Sequence, residues 1–447
     1  MTDRNVMSIF NRITASLRED PLIRRVLRNS GYLFSGNAIS AALGFVQGIL
    51  VVRLLGIEQF GLITAIMLFA SNVNRLLSFR MSEVMVRYMG EALSNNENDR
   101  AAALAKWIGI AEALTSVLAY LVLYGLAAWF ATNQAETYLY RFYGLFLLAN
   151  IVYETSTGIL QVTDKFKRVA FANLLQSIVT IIFIAIAFLM GRGLFEILTA
   201  YLIGKAVAAF VVTRSAIREL NGRFGATWTR APFGLVPDWK SIGRFALSTN
   251  INGTVNLFAR DNIPLYIKYL LSDVEVGYFR LASSLINLVM LPIEPFIWPT
   301  YAEITRTIAQ KQWQGTRKLL QQVSAIAGAW TLLAGGGLIA LGWWLIPFLY
   351  RAESAPAYLC VLILLIGYGV ANIANWNRPL LLALGHPNDP LIVAAITGAI
   401  EIILIFTLVP PGGYLIGAAI FSGYLAVSIL INVLRGLTIL RRKEATA

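Results

Sequence analysis

The chain has 447 residues, of which 57% are hydrophobic and only 14% are charged. Soluble domains carry about 25% charged residues, so this composition excludes an ordinary soluble globular protein and indicates lipid as the surrounding solvent. A single cysteine excludes an internal disulfide, and a single histidine leaves no basis for a metal site or for histidine-based catalysis. The formal net charge of +13 indicates basic loops beside anionic lipid rather than a nucleic-acid partner.

Residues 1–30 form a basic segment without the pattern of a cleaved signal peptide. Apolar residues recur within it at helical spacing, at Val6, Ile9, Phe10, Ile13 and Leu17. We predict a cytoplasmic amphipathic helix that lies on the membrane surface before the first span.

Apolar stretches long enough to cross a bilayer follow one another to the end of the chain. They lie near 31–53, 59–80, 104–130, 138–161, 170–190, 193–216, 242–269, 275–299, 318–345, 356–384, 389–409 and 413–440. Pro292, Pro295 and Pro299 are expected to kink the eighth of these stretches. The predicted fold is an all-α membrane protein with about 12 transmembrane helices.

Lysine and arginine alternate between the two sides of this arrangement. They concentrate at the N-terminus, in the connections around residues 80–106, 165–168, 214–244 and 306–318, and in the tail 441–447. The intervening connections at 131–137, 191–193, 350–355 and 410–413 are short and nearly free of cations. Because cation-rich loops stay in the cytoplasm, we predict a multi-pass topology with both termini cytoplasmic.

A long connection at 217–241 lies in mid-chain and divides the spans into halves of six, at 31–216 and 242–440. The halves share landmarks in the same order. Ser35-Gly36-Asn37 corresponds to Ser248-Thr249-Asn250, and Glu58-Gln59-Phe60-Gly61 corresponds to Glu275-Val276-Gly277-Tyr278. An even number of helices per half makes the repeats parallel, so we predict two six-helix bundles joined by a cytoplasmic linker.

Polar residues follow one face of the first two helices in each half. Their spacing is close to helical at Asn37, Ser40, Gly44 and Gln47; at Thr64, Ser71, Arg75 and Ser78; at Ser248, Asn252, Asn256 and Arg260; and at Arg280, Ser284, Asn287 and Glu294, with Asn250 beside the third set. Such side chains either join helices or face water. Four stripes on equivalent helices favour a central aqueous cleft between the bundles.

Charged residues inside the spans are functional candidates by default. Arg75, Arg260 and Arg378 are candidate cleft cations, with Arg75 expected in the inner half of its span and Arg260 in the outer half. Arg53 and Arg280 lie near the outer ends of their spans and could extend to the outer interface, and Arg280 is also a substrate-binding candidate. The candidate counter-ions or coupling-ion ligands are Glu294, Asp261, Glu154 and Lys205; the last two could instead form a structural pair, and Glu112 and Glu401 are further candidates.

The sequence has no G-x-x-x-x-G-K-[ST] motif and no extramembrane segment large enough for a catalytic domain. We therefore expect neither an enzyme nor a cofactor-binding protein.

Two runs resemble the polysaccharide-biosynthesis flippases of the multidrug/oligosaccharidyl-lipid/polysaccharide (MOP) exporter superfamily. Arg53–Gly61 (RLLGIEQFG) is similar to their R-x-L-G-x-x-x-[FY]-G signature, and Val276–Ala282 (VGYFRLA) is similar to their V-G-x-Y-x-x-A element. The resemblance implies a bacterial inner-membrane protein that moves undecaprenyl-diphosphate-linked oligosaccharide across the bilayer for O-antigen, capsule or exopolysaccharide assembly. It also implies that polymerase and chain-length proteins are partners, and that Arg260 and Arg75 receive the diphosphate.

The residues suit such a substrate, because arginine binds phosphate and Asn, Gln and Ser bind sugar hydroxyls. On this hypothesis the substrate-binding residues are Arg260, Arg75, Asn256, Asn252, Asn250, Asn37, Gln47, Asn287, Arg280 and Arg378. Two alternatives within the superfamily remain open, a cation-coupled multidrug exporter and a lipid II flippase.

Overall fold

The computed structural model describes residues 21–236 and 239–445. The predicted amphipathic helix before residue 21 lies outside this part of the chain. The side chains of residues 21–35, Asn37, 251–253, 255, Asn256, 259 and 298 are also outside it.

Helices make up nearly all of the described chain, and no strand occurs in it. In chain order they are α1 (Pro21–Leu55), α2 (Ile57–Leu77), α3 (Met81–Ser94), α4 (Asn98–Phe130), α5 (Gln134–Ala149), α6 (Tyr153–Val162), α7 (Phe166–Leu189), α8 (Leu194–Phe224), α9 (Trp239–Asn256), α10 (Ile263–Leu270), α11 (Asp273–Met290), α12 (Glu294–Ala309), α13 (Trp313–Leu349), α14 (Ala357–Ile373), α15 (Asn377–Ala383) and α16 (Asn388–Ala445). Short 3-10 turns precede α9 and α14, and a π-helical turn, Leu257–Asp261, joins α9 to α10.

The predicted all-helical membrane fold is confirmed. In the described residues nine segments are long and apolar enough to cross a membrane, and a bent pair of helices makes a tenth. One of the nine, α16, has 58 residues and a non-helical Gly413 in its interior. A straight helix of that length would be about 87 Å long, nearly three times the hydrocarbon thickness, so α16 is two spans joined at a kink.

Two segments are more complex than straight spans joined by loops. The segment after the second span, expected as a loop, is helix α3, because Phe79 and Arg80 adopt positive φ angles and the chain turns into a new helix there. The eighth span is α11 followed by α12, bent by 52°. Pro292 in the break and Pro295 in the first turn of α12 account for this bend, which the proline pattern predicted.

Buried apolar residues form one core at one end of the molecule and two cores at the other. The shared core joins helices from both halves near the short, cation-poor connections and includes Val51, Ile63, Val276 and Ile346. At the cation-rich end, one core contains Met85 and Leu104 and another contains Leu320 and Leu380. The halves therefore share one core at the predicted outer end. At the predicted cytoplasmic end they have separate cores, except that the start of α9 packs on the N-terminal helices.

Two glycines allow the close contact at the outer end. A Cβ atom on Gly61 of α2 would lie 1.7 Å from the carbonyl oxygen of Asp273, at the start of α11. A Cβ atom on Gly277 of α11 would lie 2.4 Å from the carbonyl oxygen of Ile57, at the start of α2. Each glycine thus faces the first turn of the other's helix, as a two-fold axis between the halves would require.

Polar contacts hold the same end closed. The Arg53 guanidinium donates to the carbonyl oxygens of Leu349 and Phe348, at 2.7 and 2.6 Å. The backbone N–H of Ile57 donates to Glu353 at 3.0 Å. Since these bonds satisfy the free carbonyls at the end of α13 and a free N–H at the start of α2, they join the halves through helix termini.

Candidate functional site

The site is built around the π-helical turn between α9 and α10, which carries Arg260 and Asp261. Such turns widen the helix by one residue and redirect the side chains that follow. Ile242 and Ala246 in α9 belong to the core of the N-terminal helices, whereas Ile263 and Ile267 in α10 belong to the shared outer core. The turn therefore lies where the seventh span passes from one packing environment to the other.

Two polar pairs connect this turn to α2. Arg75 forms an ion pair with Asp261, and the Asn72 amide donates to the Asn262 side chain. Arg75 was expected in the inner half of its span and Arg260 in the outer half, so that the two would stand at different depths. That expectation is wrong for this conformation, because Arg75 contacts the residue next to Arg260.

Two arginines share one tyrosine in the cleft. Arg260 lies within hydrogen-bonding reach of the Tyr368 hydroxyl, and Arg280 lies within electrostatic range of the same group. Tyr201 and Tyr350 are the other hydroxyls that act on Arg280. Both arginines are solvent-exposed in the structure although they lie inside predicted spans. Arg280 is therefore accessible beside three tyrosine hydroxyls, an environment that suits ligand binding better than extension to the outer interface.

Aromatic packing fixes the tyrosines. The Tyr368 ring packs edge-on against Phe421, with ring centroids 5.9 Å apart, and Tyr350 packs edge-on against Phe45 of α1 at 6.2 Å. Rings held in this way lose little further freedom when a ligand binds their hydroxyl groups. Because Tyr201 lies on α8 and Tyr368 on α14, the Arg280 surroundings include helices from both halves of the chain.

The cleft has an excess of positive charge. Within the described part of the chain, neither Arg260 nor Arg280 has a carboxylate within ion-pair distance, whereas Asp261 is neutralised by Arg75. Unpaired guanidinium groups on a partly dehydrated surface bind phosphates and carboxylates through several parallel N–H donors. The arrangement is therefore suited to an anionic ligand.

Other predicted polar residues are used for helix packing or lie apart from the arginines. Asn250 is buried and donates to the carbonyl oxygen of Leu76 at 2.8 Å, and Gln47 is buried and donates to that of Ser177 at 3.0 Å. Asn287 is exposed on α11, but Glu294 follows the 52° bend and does not continue the α11 stripe. Arg378 is exposed on the short helix α15, whose Leu380 and Leu381 belong to a core at the cation-rich end.

The suggested pair of Glu154 and Lys205 does not form. Glu154 instead accepts a hydrogen bond from Ser82, and Lys205 lines a separate cavity. Glu112 is also not a free counter-ion, because its two carboxylate oxygens accept the backbone N–H groups of Glu154 and Thr155 at 2.9 and 2.7 Å. Those N–H groups belong to the first turn of α6, so Glu112 caps that helix from α4.

Three predicted residues cannot be assigned a place, since the side chains of Asn37, Asn252 and Asn256 lie outside the described residues. Conversely, Tyr201, Tyr350 and Tyr368 were not predicted. They lie on α8, directly after α13 and on α14, far apart in sequence, and an aromatic residue in an apolar span ordinarily indicates core packing. In the described part of the chain no cluster of His, Cys, Asp or Glu side chains has the composition of a metal site.

Comparison with known proteins agrees with this architecture. The sequence profile described as "Polysaccharide biosynthesis protein" matches residues 26–302. Inner membrane protein YghQ of Escherichia coli (strain K12) is 21% identical over 346 residues, which cover 76% of this chain and 96% of YghQ.

Two solved structures share the fold at low sequence identity. One, titled as the inward-facing conformation of a multidrug resistance MATE family transporter of the MOP superfamily, has a TM-score of 0.75 at 13% identity, covering 91% of this chain and 96% of the other. The lipid II flippase MurJ in an inward closed conformation has a TM-score of 0.70 at 16% identity, with 92% and 90% covered. The matched profile spans more than half of the sequence, and this chain therefore belongs to the polysaccharide biosynthesis protein family.

Proposed function

We propose that this protein is a flippase that moves a diphosphate-linked oligosaccharide lipid from the inner to the outer leaflet of the bacterial inner membrane, for surface polysaccharide assembly. The observation that carries the proposal is the pair of unneutralised arginines, Arg260 and Arg280, at one tyrosine hydroxyl in the cleft. A diphosphate offers several anionic oxygens, and two guanidinium groups can bind them together. Family membership supports the same class of substrate.

The chemistry of the cleft supports each part of such a substrate. Arginines would bind the diphosphate, and tyrosine hydroxyls and exposed amides such as that of Asn287 would bind sugar hydroxyls. The apolar tail can remain in lipid while the head group crosses. A multidrug exporter for cationic compounds would instead need accessible carboxylates to bind the drug. Asp261 is already paired with Arg75, and Glu401, whose carboxylate has no partner among the described residues, is buried.

The arrangement of the cores supports an alternating-access mechanism. In this conformation the outer end is closed through Gly61, Gly277 and Arg53, and at the cation-rich end the halves have separate cores except where the start of α9 packs on the N-terminal helices. If that end is cytoplasmic, as the loop charges predict, the cleft is open to the leaflet in which lipid-linked oligosaccharides are made. The inner-membrane assignment is supported by the name of the relative YghQ.

A reconstituted system tests the substrate directly. Purified protein is placed in liposomes that contain undecaprenyl-diphosphate oligosaccharide whose terminal sugar is a labelled galactose. Sugar in the outer leaflet is then oxidised by a membrane-impermeant galactose oxidase. Flipping is expected to expose the initially protected fraction of label, and empty liposomes measure the background.

A deletion strain separates the alternatives in cells. We expect lipid-linked oligosaccharide to accumulate and one surface glycan to disappear. Unchanged glycan with increased sensitivity to cationic drugs would favour an exporter, and arrested cell-wall synthesis would favour a lipid II flippase.

A further inference from the structure

A second polar pocket lies in the N-terminal half, and its Lys205 is one helical turn along α8 from Tyr201, which acts on Arg280. It has a volume of about 290 Å³ and is lined by Ser40 of α1, by Asn173, Gln176 and Ser177 of α7, and by Lys205 of α8. Lys205 follows Leu194, the first residue of α8, by eleven residues, which places it about 16 Å along that helix. The cavity is therefore near the middle of a hydrocarbon layer about 30 Å thick.

Lys205 has no acidic partner there. Among the described residues no carboxylate lies within ion-pair distance of its ammonium group, and none of the cavity-lining residues is acidic. Glu154, the nearest candidate from sequence, is engaged by Ser82. A cation at this depth ordinarily faces a cavity and has a partner there.

Hydrogen bonds within the wall use up most of its acceptors. The Asn173 side-chain oxygen accepts from Tyr153 at 3.2 Å, and the Asn173 carbonyl oxygen accepts from Ser40 and Ser177 at 3.5 and 3.2 Å. The Ser177 carbonyl oxygen accepts from Gln47 at 3.0 Å. Acceptors that would hold a metal cation are therefore largely occupied.

The donors, in contrast, remain available. In the described residues, the Lys205 ammonium, the Asn173 amide N–H groups and the Gln176 carboxamide have no hydrogen-bond partner. The wall is also firmly held beside Lys205, because a Cβ atom on Gly204 would lie 2.0 Å from the Thr180 hydroxyl oxygen of α7. In the described residues the pocket thus has one unpaired cation and several free N–H donors, with the Gln176 side-chain oxygen as an unpaired amide acceptor. An excess of donors around a cation is the composition of an anion site.

We propose that Lys205, Asn173 and Gln176 bind a small anion inside the N-terminal half of the protein. The shared chemistry is that of a halide or a carboxylate. The anion is either a free ion or the carboxylate of an acidic sugar on the substrate; only the second case rests on the proposed flippase function.

Ligand-dependent thermal unfolding of the purified full-length protein tests the site without a transport assay. Chloride and, separately, glucuronate are titrated at constant ionic strength, with the bulky buffer anion HEPES as replacement. At least one is expected to raise the midpoint of unfolding along a saturable curve. Saturation by chloride identifies a free anion, and saturation by glucuronate alone identifies a sugar carboxylate.

Two variants and a control assign the effect to the cavity. Lys205→Met is expected to weaken the apparent affinity about tenfold or more, because it removes a charged donor. Gln176→Leu should weaken it less, and Lys311→Met, at an exposed position in a connection, should leave it unchanged. Equal affinity in wild type and Lys205→Met would overturn the proposal, as would the lack of any saturable effect.

Bromide soaking covers the case in which Lys205→Met does not fold. Anomalous diffraction from crystals of the wild-type protein is expected to place bromide within hydrogen-bonding distance of Lys205 Nζ, if a free anion is the ligand. Bromide bound only elsewhere, together with no glucuronate-dependent stabilisation, would rule the site out.

Discussion

Gly61 lies so close to Asp273 that a methyl group on its Cα would be 1.7 Å from the Asp273 carbonyl oxygen. The opposing atom belongs to backbone at the start of α11, so no side chain can move aside to make room. The outer closure therefore depends on a hydrogen atom at this position.

Gly61→Ala is accordingly expected to hold the outer end open and to abolish transport. The measurement is labelling of Asn287→Cys by a membrane-impermeant maleimide added from outside, in a Cys360→Ala background. Labelling should be slow in the parent and fast with Gly61→Ala. Gly48→Ala is the matched control, because a Cβ atom there would meet no neighbour within 4 Å. Equal labelling rates in all three proteins would refute the closure assigned to Gly61.

Arg260→Ala is expected to lower flipping of diphosphate-linked substrate about tenfold or more, since a hydrogen bond to a charged group contributes about 1.5–3 kcal/mol. Arg260→Lys should recover part of it, because an ammonium keeps the charge but loses the planar fork. Protein abundance should be normal, as Asp261 keeps its Arg75 partner. Arg378→Ala, on α15, is the comparison expected to flip normally. Normal flipping by Arg260→Ala at normal abundance would remove this residue from the site.

Tyr368→Phe should slow flipping several-fold without lowering thermal stability. The change removes the hydroxyl that lies within hydrogen-bonding reach of Arg260 and within electrostatic range of Arg280, but keeps the ring that packs against Phe421. Tyr414→Phe removes a hydroxyl that donates to Pro356 at 2.9 Å and serves as the control. A similar slowing in both variants would mean that Tyr368 has no particular part in the site.

Lys268→Met should destabilise the protein strongly. The Lys268 ammonium lies 2.7 Å from Asp273 and 3.4 Å from Glu136, and all three side chains are at least 86% buried. Removing the cation strands two carboxylates, at a cost of about 3–5 kcal/mol for a buried pair. Unfolding midpoints measure this loss. The triple change Lys268→Met, Asp273→Asn, Glu136→Gln should regain most of it; if it unfolds as readily as the single variant, the charge explanation fails.

Glu112→Ala should lower the stability of the protein while leaving the transport rate per folded molecule unchanged. It leaves two buried backbone N–H groups of α6 without an acceptor, and each such group costs about 1–3 kcal/mol. Glu112→Gln keeps one acceptor oxygen and should lose less. Thermal unfolding, with transport normalised to folded protein, separates capping from a role in proton coupling. A pure loss of rate at wild-type stability would favour coupling.

Hydrophobic length and proline position were sufficient to predict most of the spans. The predicted 104–130, 170–190 and 193–216 correspond to α4, α7 and α8 within a few residues at most ends, and the bend near Pro292 was anticipated. These features depend on local composition and backbone chemistry. The helical extension to Phe224, into the predicted linker, was not anticipated because the segment is polar.

The cleft was predicted only where polarity marks a single helix. Arg260 and Arg280 stand out in apolar surroundings, but which groups face them depends on contacts between helices distant in sequence. Gln47 and Asn250 have the same polar character, yet they bind backbone carbonyls of neighbouring helices. Helical spacing gives the face of a residue but does not identify the helix opposite that face.

The π-helical turn Leu257–Asp261 connects a segment packed with the N-terminal helices to one packed in the outer core. On the proposed alternating-access mechanism, exchange between inward- and outward-open states would change the angle between those two segments. The turn would then act as the hinge, and Arg260 is part of it. A ligand that binds Arg260 would therefore act directly on the turn that bends. Ligand binding and the conformational change would then be coupled without intermediate residues.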